Sequence, residues 1–175
     1  MCIRDSARWA GEGAREIFFQ TWGGDASSLL RNAEGIRALG DRVVVKVPAT
    51  RDGFAAASAL VRDGATVLVT AVYSVAQALV CASIGAQYIA PYLGRMRDAG
   101  IDGDAVIARM QGMCAGSDSN VLAASLRSPD DITGLRLAGV PYFTAAPDVI
   151  EQMLFHGVSD SSAAEFDAAM VRLGA

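Results

Sequence analysis

Lys46 is the residue of this sequence whose setting most clearly suggests chemistry. It lies near the end of an apolar run, RVVVKVPAT over residues 42–50, which is typical of a buried strand in a parallel sheet. Side chains alternate along a strand, so Lys46 shares one face with Val44. An amine among valines is desolvated, which disfavours its charged form and leaves a nucleophile able to form a Schiff base with a ketone. The alternative is an edge-strand lysine that points to water and prevents aggregation.

Length and composition favour one globular domain. The 175 residues are 52% hydrophobic with a mean hydropathy of +0.30, which is enough to build a substantial core. The net charge of −4 and the pI near 4.9 argue against a nucleic acid or an anionic membrane as partner. No apolar run is long enough to span a membrane, and the N-terminus lacks the apolar segment of a signal peptide.

The cysteines and the histidine do not predict a metal site. Cys2, Cys81 and Cys114 form an odd set without CxxC or metal-ligand spacing, which indicates reduced thiols in a cytoplasmic protein. The single His156 cannot build a histidine metal site and follows a predicted helix. We expect it to lie on the surface or to cap a helix.

Strand-like and helix-like segments alternate six times along the chain. Residues 15–22, 66–72, 87–92, 120–125 and 141–145 join the Lys46 run as predicted strands. Polar residues before the helical patterns predict helix starts at Asp25 or Ser27, at Thr50 or Asp52, at Ser74 and at Ser128. Residues 93–95 are expected to close the fourth strand, and a final amphipathic helix is expected over residues 162–173.

The alternation predicts a parallel sheet, in either an open form or a barrel. Neither GxGxxG nor GxxxxGK[ST] occurs, which removes the best signals of an open nucleotide-binding sheet. In a barrel, the C-terminal ends of the strands converge on one face, where active sites are built. In an open sheet, they would be spread too far along a line to meet one small molecule. The polar residues at successive predicted strand ends are Gln20, Lys46, Thr70, Tyr92 and Ser125.

Five stretches, in this order and with these gaps, carry a resemblance to a known family. They are VVKVPAT (44–50), TAVYSVAQ (70–77), GAQYIAPYLGR (85–95), VLAASLR (121–127) and DVIEQM (148–153). From about Arg15 to its end, the chain resembles the small transaldolase and fructose-6-phosphate aldolase family of class I aldolases. The resemblance implies an α/β fold of the TIM-type (β/α)8 barrel, no metal, no organic cofactor, a sugar phosphate substrate and a homo-oligomer based on pentamer rings.

The resemblance also implies catalytic roles. Lys46 matches the Schiff-base lysine, and Gln20, Thr70 and Tyr92 match the positions that hold the water of proton transfer. These residue types suit the chemistry, because a protonated imine at C2 of a ketose withdraws electrons. The C3–C4 bond can then break once a general base takes the proton of the C4 hydroxyl.

Three further residues match the substrate phosphate site of the family. Arg95 and Ser125 are the main matches, and Arg127 is a supporting one. Guanidinium groups offer planar donors to a phosphate dianion, and a serine hydroxyl adds another donor. Taken one at a time, each of these residues has an ordinary structural explanation, such as a solvated loop charge for Arg95.

Gln20 and Tyr92 resemble the fructose-6-phosphate aldolase branch, because transaldolases proper usually carry glutamate and phenylalanine there. The predicted reaction cleaves or forms a ketose phosphate such as fructose 6-phosphate, from dihydroxyacetone and glyceraldehyde 3-phosphate. One alternative is a transaldolase of the pentose phosphate pathway, which transfers a dihydroxyacetone unit between sugar phosphates. The other is a non-catalytic phosphosugar-binding fragment.

The family's first two βα units are expected to precede Arg15, and no stretch of this sequence matches them. The resemblance therefore implies a barrel that lacks its first two βα units, with six parallel strands present. Residues 1–14 are expected to be a non-native leader and the end of a preceding helix. Residues 15–175 are expected to form the incomplete barrel and a C-terminal helix.

Overall fold

The computed structural model describes residues 5–174 of the chain. Its six strands are β1 (Ile17–Gln20), β2 (Val43–Pro48), β3 (Val67–Val72), β4 (Tyr88–Pro91), β5 (Asn120–Leu126) and β6 (Tyr142–Ala145). The helices of the described residues are α1 (Ser6–Gly11), α2 (Ala26–Arg37), α3 (Arg51–Arg62), α4 (Val75–Ile84), α5 (Leu93–Asp98), α6 (Gly103–Met113), α7 (Pro129–Leu137), α8 (Pro147–Leu154) and α9 (Gly157–Leu173).

The strands form one parallel sheet in sequence order, β1 to β6. Curvature is visible in the hydrogen bond from the Tyr88 hydroxyl to Glu16 Oε2, at 2.7 Å, because two whole strands lie between β1 and β4. The Tyr88 ring also meets the edges of Phe18 and Tyr142, at centroid distances of 5.5 and 5.6 Å. The sheet is therefore a partial TIM-type barrel of six parallel strands, which confirms the predicted fold.

Alternation along the strands divides the apolar side chains between two cores. The larger core lies between the convex face of the sheet and the helices, and includes Val45, Val47 and Val69. The smaller core lies on the concave face and consists of Val44, Leu68, Ala90 and Leu122. Lys46 has the parity of Val44, so its side chain lies on the concave face, as the alternation of the valine run predicted.

Helix starts follow the predicted capping residues. The side chains of Asp25, Thr50, Ser74 and Ser128 accept hydrogen bonds from backbone N–H groups in the first turns of α2, α3, α4 and α7. Asp25 is the cap rather than Ser27, and Thr50 rather than Asp52. His156 caps α9 through a bond from the N–H of Val158 to Nδ1, at 3.3 Å, so its expected capping role is confirmed.

Two local predictions were wrong. Residues 93–95 do not close the fourth strand but begin helix α5, which the glycine at position 94 concealed. The last helix begins at Gly157 rather than near residue 162, and none of its residues is buried. The apolar side chains of α9, such as Phe166 and Met170, are therefore exposed to solvent.

The expected leader falls partly outside the described residues, which begin at residue 5. Within it, α1 packs at the start of the sheet, where Arg42 NH1 donates to the carbonyls of Ala10 and Ala14, at 2.9 Å each. Cys81 and Cys114 are free and buried in the larger core, whereas Cys2 lies outside the described residues. Among the helices of residues 5–174, none has both the length and the apolar character needed to cross a membrane.

Candidate active site

Lys46 lies on the concave face of the sheet, in the last half of β2. It lines a cavity of about 630 Å³ together with Leu68 and Thr70 of the neighbouring strand. The side chain is half-buried, and its amine has no hydrogen-bond or ion-pair partner in residues 5–174. The backbone at Lys46 is held by the residue that follows β1. The N–H and the hydroxyl of Thr21 both donate to the Lys46 carbonyl, at 2.9 and 2.8 Å. The strand thus holds an unpaired amine in an open cavity.

Two hydroxyl groups meet in the cavity that Lys46 lines. Thr70 Oγ1 and the Tyr92 hydroxyl lie 2.6 Å apart, on β3 and just after β4, and both residues line the cavity. Thr70 is buried, with 3% of its surface exposed. The rings of Tyr73 and Tyr92 pack nearly at right angles, at a centroid distance of 6.1 Å. The pair is therefore held in place and can share a proton with a third group.

The structure does not bring the Gln20 side chain into contact with the hydroxyl pair of Thr70 and Tyr92. It is the register partner of Lys46, but its side chain is exposed. Its amide Nε2 donates to the carbonyls of Thr21 and Lys46, at 3.0 and 3.2 Å. Within the described part of the chain, no hydrogen bond joins it to Thr70 or Tyr92.

The backbone is strained at two strand ends of the site. Ala71 and Ser125 are the non-glycine residues of the described ranges with positive φ, at 59° and 58°. The register shifts at both points, between Thr70 and Val72 and between Ala123 and Leu126. Such conformations cost energy, persist only where surrounding structure enforces them, and cluster at functional sites.

Arg95 lies on the first turns of α5, not in a loop. Its guanidinium is exposed and stands over the Tyr92 ring, 5.2 Å from the centroid. It has no carboxylate or hydrogen-bond partner in residues 5–174. A free guanidinium beside the cavity is available to an anion.

Ser125 and Arg127 approach α5 at Gly94. A Cβ at position 94 would lie 2.7 Å from Arg127 Nε and 2.9 Å from Ser125 Oγ. Only glycine permits this approach, because both contacts would be far inside van der Waals distance. The hydroxyl and the guanidinium therefore share one small space next to the α5 backbone.

Arg127 already has a carboxylate partner. Its NH1 and NH2 donate to Asp98 Oδ1 and Oδ2, at 2.8 and 2.5 Å, in a two-pronged pair between the β5–α7 loop and the end of α5. The hydrogen bonds from Arg127 are the main reason that the pKa of the Asp98 carboxyl lies below its usual value, and Arg95 adds a smaller attraction. The sequence did not predict this pair, because nothing in it connects position 98 with position 127.

A second carboxylate, that of Asp131, holds the β5–α7 loop from its buried side. Asp131 is buried, with 5% exposed, and accepts bonds from the N–H of Arg127 at 2.7 Å and from Arg97 NH1 at 2.6 Å. Burial alone would raise the pKa of Asp131, but these hydrogen bonds outweigh it and the pKa is lowered. Arg97 also binds Asp104, at 2.9 Å. The spacing of Ser128 and Asp131, a capping pair, was the available sequence signal for this residue.

The described residues contain no group of three or more His, Cys, Asp or Glu side chains that could hold a metal ion. The cavity is lined instead by an amine, hydroxyl groups and one carboxylate, those of Lys46, Thr70, Tyr92, Ser125, Thr144 and Glu16. The Arg95 guanidinium lies close by, over the Tyr92 ring. These groups suit covalent attack on a carbonyl, proton transfer and anion binding.

The curved parallel sheet, with its polar groups gathered at the C-terminal strand ends, defines a TIM-barrel type of enzyme. The family model described as Transaldolase/Fructose-6-phosphate aldolase matches residues 8–174. The chain belongs to this family of enzymes, as the ordered motifs of the sequence indicated.

Curated relatives agree with this assignment. A protein named "Probable transaldolase" from Maridesulfovibrio salexigens is 35% identical over 154 residues, which cover 87% of this chain and 72% of the relative. A "Probable transaldolase" from Hyphomonas neptunium is 35% identical over 152 residues, which cover 86% of this chain and 70% of the relative.

Solved structures show the same fold at much lower identity. Inosine 5′-monophosphate dehydrogenase from Legionella pneumophila aligns with a TM-score of 0.63 and 17% identity, over 85% of this chain and 49% of that one. A mandelate oxidase aligns with a TM-score of 0.58 and 16% identity, over 74% and 48%. The chain spans about half the length of these structures, and the likeness concerns the fold alone.

Proposed function

We propose that the chain carries the chemistry of a class I aldolase, with Lys46 as the Schiff-base residue. The observation that carries the proposal is the unpaired Lys46 amine in the concave cavity, which the hydroxyl pair of Thr70 and Tyr92 also lines. Family membership supports the same reading. The substrate proposed is a ketose phosphate such as fructose 6-phosphate.

In the proposed reaction, the neutral amine of Lys46 adds to the C2 carbonyl of the ketose. Loss of one water leaves a protonated imine, which withdraws electrons from the chain of the sugar. The C4 hydroxyl gives up its proton, the C3–C4 bond breaks, and its electron pair moves into the imine to form an enamine. The aldehyde leaves, a proton adds to the enamine carbon, and one water hydrolyses the imine to release dihydroxyacetone.

Thr70 and Tyr92 are proposed to handle the proton of the C4 hydroxyl through one water. Their contact of 2.6 Å supports this, because a shared proton between two fixed hydroxyls can be passed on without rearrangement. Gln20 is proposed as a third ligand of that water. This role requires its amide to leave the carbonyls of Thr21 and Lys46 when substrate enters.

Arg95 and Ser125 are proposed to bind the substrate phosphate, with Arg127 in support. Arg95 is a free cation over the ring of Tyr92, which lines the cavity, and Ser125 lines the cavity itself. Charge-assisted bonds to a phosphate are stronger than neutral ones. Arg127 is the weaker candidate, because Asp98 already occupies two of its donors.

The proposed reaction is the aldolase reaction, with transaldolase as the second candidate. Gln20 and Tyr92 favour the aldolase, and the relatives named "Probable transaldolase" favour the transaldolase. The two differ in the electrophile that the enamine carbon attacks, which is a proton in one and the aldehyde carbon of a second aldose phosphate in the other. Incubation with fructose 6-phosphate alone tests this: free dihydroxyacetone supports an aldolase, and turnover that requires erythrose 4-phosphate supports a transaldolase.

A phosphosugar-binding chain without catalysis is the remaining alternative. It would bind fructose 6-phosphate without forming an imine. Borohydride reduction with bound substrate separates the two, because only an imine becomes a stable covalent adduct.

We further propose a homo-oligomer in the cytoplasm. The exposed apolar side chains of α9, among them Phe166 and Met170, support association with a second copy. The free buried thiols of Cys81 and Cys114 fit a reducing compartment.

A further inference from the structure

The charges around the proposed phosphate site are almost balanced within the protein itself. Arg97 is paired with Asp131 and Asp104, so few of its N–H donors remain for an external anion. Arg127 is paired with Asp98 through both terminal nitrogens. Arg95 alone of the α5 and β5-end arginines has no carboxylate partner among the described residues.

Asp98 differs from the carboxylates of Asp131 and Asp104 in the group with which it pairs. Asp131 is buried and bonds the loop backbone at Arg127 and Ser128, so it holds the fold. Asp104 contacts Arg97, which has no place in the proposed site. Asp98 is 58% exposed, and it binds the side chain of Arg127 directly.

The geometry leaves Arg127 only partly available. Its Nε faces the space at Gly94 that it shares with Ser125 Oγ, while NH1 and NH2 face Asp98. That space is too small for a phosphate, because even a Cβ there would lie 2.7 Å from Nε. A phosphate on the exposed side of Arg127 can therefore take NH1 or NH2 only in exchange with Asp98. The Asp98 carboxylate and a phosphate compete for Arg127, because both bind best to the paired N–H groups of a guanidinium.

We infer that Asp98 is a built-in counter-ion that competes with the substrate phosphate for Arg127 and thereby limits the phosphate affinity of the site. This inference rests on the proposed function for the identity of the substrate and for the phosphate site at Arg127. The ligand class is a phosphate dianion, either a phosphate monoester or inorganic phosphate. Exchange, rather than permanent pairing, is feasible since both side chains are more than half exposed.

The test is phosphate binding to the full chain, measured by isothermal titration calorimetry with inorganic phosphate at low salt. Asp98→Asn keeps the side-chain size and removes the competing charge. We expect the Kd for phosphate to fall roughly two- to fivefold, the range that follows from the strength of an exposed ion pair. The gain should shrink as salt is raised, because salt screens exposed charges.

Two further variants separate competition from a general change of charge. Asp104→Asn makes the same charge change on a carboxylate that pairs with Arg97, and it should alter the Kd less. In an Arg127→Ala background, Asp98→Asn should give no gain, because the contested donor is absent. Equal gains for Asp98→Asn and Asp104→Asn, a gain that persists without Arg127, or an unchanged or raised Kd would each overturn the inference.

The role of Asp98 and the proposed aldolase function can be refuted independently of each other. Imine formation with dihydroxyacetone involves no phosphate and reports on Lys46 alone. Imine trapping without phosphate binding by the starting protein or Asp98→Asn would overturn the role of Asp98 and leave the aldolase proposal standing. The expected phosphate results without imine trapping would support Asp98 and refute the aldolase.

Discussion

Thr70 and Tyr92 bring their hydroxyl oxygens to 2.6 Å across the join between β3 and β4. The register explains how: Thr70 is level with Ala90, and Tyr92 follows two residues later on the same face. The shift at Ala71, with its positive φ, ends the regular pairing at this point. A strained strand end thus brings a buried threonine to a tyrosine in the cavity that Lys46 also lines.

Tyr92→Phe tests the proposed proton transfer. It removes one hydroxyl and keeps the ring that packs on Tyr73. We expect turnover of fructose 6-phosphate to fall about 10²- to 10⁴-fold, the usual range for loss of acid–base assistance. Imine trapping with dihydroxyacetone should persist. Thr70→Ser, which keeps a hydroxyl, is the control and should retain far more activity, and comparable turnover in Tyr92→Phe and the unaltered chain would refute the role.

Arg95→Ala tests the proposed phosphate contact. A lost charge-assisted bond costs about 1.5–3 kcal/mol, which should appear as weaker use of glyceraldehyde 3-phosphate. Reaction of the unphosphorylated analogue glyceraldehyde should change little. Arg109→Ala, an exposed arginine of α6, is the matched control. Equal losses for both acceptors would place the Arg95 contribution away from the phosphate.

The Tyr88–Glu16 bond predicts a dependence of stability on alkaline pH. Burial, followed by the hydrogen bond to Glu16, raises the pKa of Tyr88 from its ordinary 10.0 to about 12. The unfolded chain therefore loses the phenol proton first, so this stabilisation is complete below pH 10 and is lost as pH rises towards 12. Tyr88→Phe should be about 1 kcal/mol less stable at pH 8, and its deficit should shrink above pH 10.

Urea unfolding at pH 8, 10 and 11 measures this difference. The comparison between variants matters, because burial also raises the pKa of Cys81 to about 12 in both proteins. A deficit that stays constant with pH would show that the hydroxyl of Tyr88 is not what titrates.

The exposed helix α9 predicts self-association. Phe166 and Met170 lie one turn apart and expose 69% and 51% of their surface. Replacing both with serine should lower the apparent mass in sedimentation velocity at micromolar concentration, and Asp160→Ser on the same helix should not. A monomer in all three cases would contradict the proposed oligomer.

The barrel could be predicted from the sequence because its strands and helices are marked by local patterns. Alternation around Lys46 placed the amine on the correct face, and Thr50, Ser74 and Ser128 marked helix starts that the structure confirms. Convergence of the strand ends followed from the parallel topology. The meeting of Thr70 and Tyr92 at one face follows from this convergence, whereas the register shift at Ala71 does not.

What the sequence did not predict depends on contacts between distant elements. Helix α5 was missed because Gly94 reads as a helix breaker, yet glycine is required there by the approach of Ser125 and Arg127. The Asp98–Arg127 pair joins two elements whose spacing no local pattern encodes. The exposed amide of Gln20 turns to backbone carbonyls, an arrangement that only the register of β1 and β2 reveals.

The most direct measurement for the central claim is borohydride trapping with dihydroxyacetone, read by intact mass and peptide mapping. The chain suits it unusually well, because Lys46 is the only lysine in the sequence. We predict one reduced adduct, located on Lys46 and absent from both Lys46→Ala and Lys46→Arg, since a guanidinium stays protonated and cannot form the imine. An adduct that survives in Lys46→Ala, or no adduct on the folded chain, would contradict the proposal that Lys46 is the Schiff-base residue.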